Sequence, residues 1–182
     1  MNSSPTTYRL IRFTFHLLSG FALLLSRNLA AAQTVFTKVP TEVSIHNPEK
    51  TEGLRNRTTI SVRVPEDAGA GLEFLILSQL TNTHHWDWGQ REPEMYLGQY
   101  SLRRRGESGL VQTVLSGRGD KLSIRFNPAI EPGQQANVVF HSFNPEEDIY
   151  DWATILIPAG DDPIASDGPI LRISIWPKGH FR

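Results

Sequence analysis

Leu110-Val111-Gln112-Thr113-Val114-Leu115, then Ser116-Gly117-Arg118-Gly119-Asp120, then Lys121-Leu122-Ser123-Ile124-Arg125-Phe126 decides the fold. An apolar run meets a turn rich in Gly and Asp, and strict alternation follows. Leu122, Ile124 and Phe126 fall on one face, with Ser123 and Arg125 on the other, which is the period of a half-buried strand. The glycines supply the positive φ that a tight connection requires. The segment is a β-hairpin, and Arg118-Gly119-Asp120 reads as its turn rather than as an adhesion tripeptide.

The same grammar extends outward in both directions. Toward the C-terminus, Pro128 to Gly133 turns the chain and Ala136 to His141 is a strand with Val138 and Phe140 inward. Asn144 to Asp148 is polar, Tyr150 to Ile157 is a strand, and Asp161 to Pro169 is a loop. Ile170 to Trp176 closes the series with Leu171, Ile173 and Ile175 on one face. Toward the N-terminus, Leu72 to Leu80 is an apolar run consistent with a strand buried on both faces. It is too short for periodicity to separate it from a helix. From Thr58, Ile60, Val62 and Val64 alternate with Thr59, Ser61 and Arg63 until Pro65, and Glu66 to Gly71 turns. Gln33 to Arg57 is a lead-in segment with a polar end at Asn47 to Asn56. Asn82 to Arg105 is the least regular part. Short strands with turns about every ten residues and no convincing helix predict an all-β fold, an antiparallel β-sandwich of immunoglobulin-like type with seven or eight strands.

Residues 1–32 read differently. Arg9 and Arg12 precede the apolar run Phe13 to Leu25, and Ala30-Ala31-Ala32 closes it before Gln33. A positive start, a short apolar middle and small residues at the end make a signal peptide. The run falls short of the roughly 20 residues that span a bilayer. The expected domains are therefore a signal peptide, 1–32, and one β-sandwich, 33–182, exported to the periplasm or beyond, with no membrane span in the mature chain. Removal of the signal takes Arg9, Arg12 and Arg27 and no acid. It leaves 15 basic against 19 acidic residues, a net −4, which argues against a nucleic-acid partner. The chain has no cysteine, so disulfides, thiol catalysis and thiolate metal sites are excluded.

Several segments, in order, resemble a family of secreted cyanobacterial proteins built on a single domain of unknown function. They are Pro65-Glu66-Asp67-Ala68-Gly69-Ala70-Gly71-Leu72, Tyr96-Leu97-Gly98, Arg103-Arg104-Arg105-Gly106 and Phe126-Asn127-Pro128-Ala129-Ile130-Glu131-Pro132-Gly133, followed by Ser142-Phe143-Asn144-Pro145 and Ile157-Pro158-Ala159-Gly160. The resemblance covers about Ser61 to Trp176. Glu146-Glu147-Asp148 is more acidic than the glycine-rich stretch of the family at that place. The resemblance implies an exported β-rich envelope domain and no particular reaction.

His84-His85-Trp86-Asp87-Trp88-Gly89 is the densest functional-looking cluster. If extended, it puts Trp86 and Trp88 on one face, where they could stack on a sugar ring or peptide, and His85 and Asp87 on the other, where they could bind a metal. The plainer reading, that a tryptophan lids the core and the histidines sit on a surface loop, is preferred because tryptophan is usually highly buried. Asp161, Asp162 and Asp167 offer oxygens to calcium, yet Asp-rich turns are common and their spacing fits no EF-hand. Arg103-Arg104-Arg105 reads as a solvated turn.

No G-x-S-x-G elbow, H-E-x-x-H, P-loop or dinucleotide fingerprint occurs. The expected function is a non-enzymatic envelope protein without a cofactor, touching another envelope protein or a cell-surface polymer. A carbohydrate-binding module built on Trp86 and Trp88 is the first alternative and an envelope hydrolase of unrecognised type the second.

Overall fold

The computed structural model describes residues 33–80, 84–103, 106–116 and 118–179, all within one compact unit, Ala31–Arg182. These residues form no helix. The strands are β1 (Glu42–His46), β2 (Arg55–Arg63), β3 (Leu72–Gln79), β4 (Glu94–Leu97), β5 (Ser108–Leu115), β6 (Lys121–Ile130), β7 (Gln135–Phe143), β8 (Asp148–Pro158), β9 (Ser166–Asp167) and β10 (Leu171–Ile175). Their order is β1-β2-β7-β4-β5-β6-β3-β8-β10, with β9 beside β8, and every neighbouring pair is antiparallel. The fold is the all-β antiparallel sandwich that the alternation predicts. The strands beyond the expected seven or eight are β4 and β9, four and two residues long, too short to show a period.

β5 makes the path continuous. Ser108 and Gly109 pair with Tyr96 and Met95 of β4, after which Leu110 to Leu115 pair with β6. The strand thus leaves the layer β1-β2-β7-β4 and joins the layer β6-β3-β8-β10. The hairpin closes as read: Leu115 faces Leu122, Ser116 N–H donates to Lys121 C=O at 2.9 Å, and the Ser116 hydroxyl donates to Asp120 at 2.6 Å. One turn differs from expectation. β6 continues through Pro128 to Ile130, and the reversal is confined to the residues after it. Phe126 and Asn127 still pair with β5 and Ile130 with Leu72, while the β3–β6 register shifts between Leu72 and Phe74. Proline, which has no N–H to donate, is tolerated at such an irregularity.

Leu122, Ile124 and Phe126 join Ile60, Val62, Val138 and Phe140 in one buried cluster between the layers. β2 and β7 are more buried than alternation predicts, because Thr59, Ser61, Asn137 and Val139 on their outer faces are also inaccessible. The irregular segment after β4 covers them. Asn137 Nδ2 donates to Gly98 C=O at 2.7 Å and Arg57 Nη1 to Leu102 C=O at 2.9 Å. The His46 ring stacks on Tyr100 at 3.7 Å and 7°. On the opposite layer β3 is less buried than its apolar run predicts. Leu72, Leu75 and Leu77 point inward and are fully buried, whereas Phe74 and Ile76 are only half-buried outside, with the Arg125 guanidinium 5.4 Å from the Phe74 ring.

Asn144, at the polar turn after β7, is the hub of a buried network. Its Oδ1 accepts Asn47 Nδ2 at 3.0 Å and Asn56 Nδ2 at 2.8 Å. Its Nδ2 donates to Glu49 C=O at 3.0 Å and Thr51 C=O at 2.8 Å. Its backbone exchanges bonds with Gly53 and Leu54, and Thr58 Oγ1 donates to Asn47 Oδ1 at 2.9 Å. An amide side chain has two acceptor and two donor positions, and all four are used. The segment pinned this way reaches β10, because Trp176 N–H donates to Lys50 C=O and Glu52 N–H to Trp176 C=O.

Asn144→Ala leaves several buried amides and carbonyls unpaired, so it should lower the unfolding free energy by about 2–4 kcal/mol in urea titration; a loss within 0.5 kcal/mol would mean that the network does not hold the corner. Burial of His46 lowers its pKa. The folded chain therefore keeps the imidazole neutral, while the unfolded chain protonates it near its ordinary value of 6.5. The sign follows: stability from this residue is lost as pH falls below that value. His46→Phe, which retains a ring against Tyr100, should weaken the drop in urea midpoint between about pH 7.5 and about pH 5.5.

Candidate functional site

The stretch His84 to Gly89 is extended with its alternation intact, but its tryptophans point inward. Trp86 and Trp88 are only 3% and 4% exposed. Trp86 packs edge-on against Tyr150 and Trp152, each at 5.3 Å, and Trp88 packs against Phe140 at 5.0 Å. The pair thus bridges β7 and β8. Their rings are tilted by 52° at 6.2 Å, so no flat platform faces solvent; apolar area outweighed the polar tips. Gln79 clamps the segment, donating to His84 C=O at 2.7 Å and accepting Trp86 N–H at 2.9 Å. The Tyr150 hydroxyl donates to Glu146 C=O at 2.9 Å. Burial, with smaller contributions from Asp148 and Glu146, pushes its pKa up to about 12.

The polar members of the cluster separate. His84 Nε2 lies 3.2 Å from Glu146 Oε2. His85 points outward near Asp120, whose carboxyl is held below its ordinary range chiefly by the Ser116 hydroxyl, with His85 and Arg118 adding to the effect. Asp87 enters a cleft. No three His, Asp or Glu residues are placed to hold a metal among the described residues, so the metal suggested by His85 and Asp87 lacks further ligands. Asp161, Asp162 and Asp167 do not converge either. Asp161 C=O accepts Thr34 N–H and Oγ1, Asp162 is exposed with φ 45°, and Asp167 pairs with Ile155. Their loop is fastened to the lead-in segment through Thr34, whose C=O also accepts Ile164 N–H at 2.9 Å.

The cleft that takes Asp87 has a volume of about 520 Å³ and lies between the loop 87–91 and the adjacent ends of β2 and β7. Arg55, Gln90, Arg91, His141, Ser142 and Phe143 complete its walls with Gly89. Gly89 has φ 80°, and a Cβ there would strike the His141 carbonyl oxygen, so glycine lets the loop lie directly on β7. Asp87 Oδ1 accepts Gly89 N–H at 2.8 Å, which fixes the turn. His141 Nε2 stands 3.5 Å from Glu94 Oε1. Phe143, paired in register with Arg55, is 57% exposed. The Ser142 hydroxyl is buried and makes no hydrogen bond, an unusual state for a buried polar atom.

Two guanidinium groups, an imidazole and an amide around one carboxylate can grip an oxygen-rich anionic group by forked N–H···O bonds, with Phe143 as an apolar flank. Sequence reading found Asp87 and missed Arg55, Arg91, His141 and Phe143. The parity of β7 was the available signal: with Val138 and Phe140 inward, an outward Phe143 is out of place on a solvated strand end.

Three tryptophans, 86, 88 and 152, are buried and Trp176 is 44% exposed. Iodide should therefore quench one component of the folded protein's fluorescence, and Trp176→Phe should abolish it. A quenchable component persisting in that variant would mean that Trp86 or Trp88 reaches solvent.

Solved structures with a similar course of the chain include an uncharacterised Nocardia farcinica protein described as having an immunoglobulin-like fold, at 10% identity, covering 73% of this chain and 96% of that one with TM-score 0.45. The collagen-binding subdomain of the Enterococcus faecalis surface protein ACE matches at 8% identity, covering 72% and 95% with TM-score 0.44. A collagen-binding domain from a Staphylococcus aureus adhesin matches at 6% identity, covering 76% and 99% with TM-score 0.39. No curated protein matches the sequence. The family described as "Protein of unknown function (DUF2808)" matches residues 33–175, and the chain belongs to that family.

Proposed function

We propose that the chain is an exported cell-envelope domain that works by binding rather than by catalysis, with residues 1–32 as its signal peptide and 33–182 as the working domain in the periplasm or outside the cell. The cleft at Arg55, Arg91, His141 and Phe143 is its contact site, and the partner is an envelope protein or a cell-surface polymer bearing anionic groups. The observation that carries this reading is the meeting of Arg55, Arg91 and His141 around one cleft beside the exposed Phe143. The basic side chains stand at the rim, where they can reach a large ligand. The signal-like leader supports an exported domain.

The test is co-sedimentation of the protein with isolated cell-wall material, beside Arg55→Glu/Arg91→Glu. Pelleting of the wild type and loss of at least about tenfold in affinity, or 1.4 kcal/mol, in the equally stable variant is the expected result. Equal pelleting of both would remove the cleft from the reading. No pelleting of either would remove the polymer and leave the protein partner, to be sought by cross-linking from a cysteine introduced at Gln90.

A further inference from the structure

The crossing of β5 from one layer to the other leaves a strand edge open. Leu97 N–H donates to Glu107 C=O on the β4 side, and Ser116 N–H donates to Lys121 C=O on the β6 side. Backbone groups in a strand point alternately to its two sides, so Val111, Thr113 and Leu115 present theirs away from β6. β4 pairs with β5 only at Ser108 and Gly109, and among the described residues no strand takes up the rest of that edge. Such a row of unpaired donors and acceptors is a template for another strand.

The edge carries none of the usual protection. Ser108 to Leu115 contains no charge and no proline, and Leu110 and Val114 are 71% and 67% exposed. A groove follows it. Two adjoining depressions of about 410 and 400 Å³ share Glu92, Pro93, Leu110 and Val111 as walls. Among the described residues, the charges that line the groove are the carboxylates of Glu92 and Glu94, with no basic residue beside them.

We propose that this groove accepts one extended polypeptide segment, added as a strand to β5, in which aliphatic residues alternate with lysine or arginine. Successive side chains of an added strand point to opposite faces. One set packs beside Leu110 and Val114, and the other set carries the cations that meet Glu92. Main-chain bonds to Val111, Thr113 and Leu115 supply affinity, and the alternation supplies selectivity. The carboxylates of Glu92 and Glu94 are what select the cationic strand. This surface is separate from the arginine-rim cleft and takes ligands of opposite charge.

The probe is a fluorescein-labelled peptide of four Lys-Val repeats, with four Glu-Val repeats as its counterpart, titrated against the full-length chain by anisotropy and followed by amide hydrogen exchange. The Lys-Val peptide should bind and slow exchange at Val111, Thr113 and Leu115. The Glu-Val peptide should bind at least about tenfold more weakly, and Glu92→Lys should reverse the order. Thr113→Pro removes an N–H that makes no bond to β6 and should abolish binding; if it unfolds the chain, Glu92→Lys still decides. Equal affinity for both peptides, or protection elsewhere than at these amides, overturns the proposal. Protection of the same amides by raising the protein concentration alone also overturns it, by assigning the edge to a second copy.

Discussion

The amide of Asn144 governs more of this fold than any apolar contact does. Apolar packing is non-directional and tolerates sliding of one layer over the other. Four hydrogen bonds from one buried side chain do not. They fix the segment between β1 and β2 against the turn after β7, and that segment in turn holds the end of β10 through Lys50, Glu52 and Trp176. Three strands from both layers are thereby set in one corner. Ser142 and Phe143, which line the cleft, come directly before the hub, so the site inherits its position from the same network.

The two layers solve their outer-face problem differently. Over β2 and β7 the chain uses its own irregular segment as a lid, meeting buried Asn137 and Arg57 with backbone carbonyls and His46 with a tyrosine ring. Over β3 no such segment lies among the described residues, and a cation above Phe74 shields the ring in part. The asymmetry explains why β2 and β7 are buried on both faces although their sequences alternate, while the more apolar β3 is not.

Most of the strands were legible because one-sided burial imposes a period of two. The hairpin at Leu110 to Phe126 and the inward sets of β7 and β10 follow from it directly. β4 and β9 were not legible, since too few residues alternate. The double burial of Thr59 and Ser61 depends on a segment some forty residues away, which no local pattern reports. The candidate site was less legible still. That Trp86 and Trp88 share a face could be read from their spacing, but which face points inward is decided by Phe140, Tyr150 and Trp152. Arg55, Arg91 and His141 come from three separate places in the chain and meet only because of the β2–β7 register and the close approach at Gly89. The segment Ser142-Phe143-Asn144-Pro145 has a physical content that its composition did not reveal: it joins a cleft wall to the hub of the buried network.

The seating of the 87–91 loop separates two things that binding loops usually entangle. Its position comes from two buried indoles and one residue without a side chain, none of which offers a group to a ligand. Asp87 adds the bond that fixes the turn, and Gln90 and Arg91 are free of that duty. Their chemistry can be exchanged, an amide for an aromatic ring or a base for an acid, while the backbone stays where it is. A scaffold of this kind lends itself to diversification: relatives could share one architecture and greet different partners, with the change confined to two side chains.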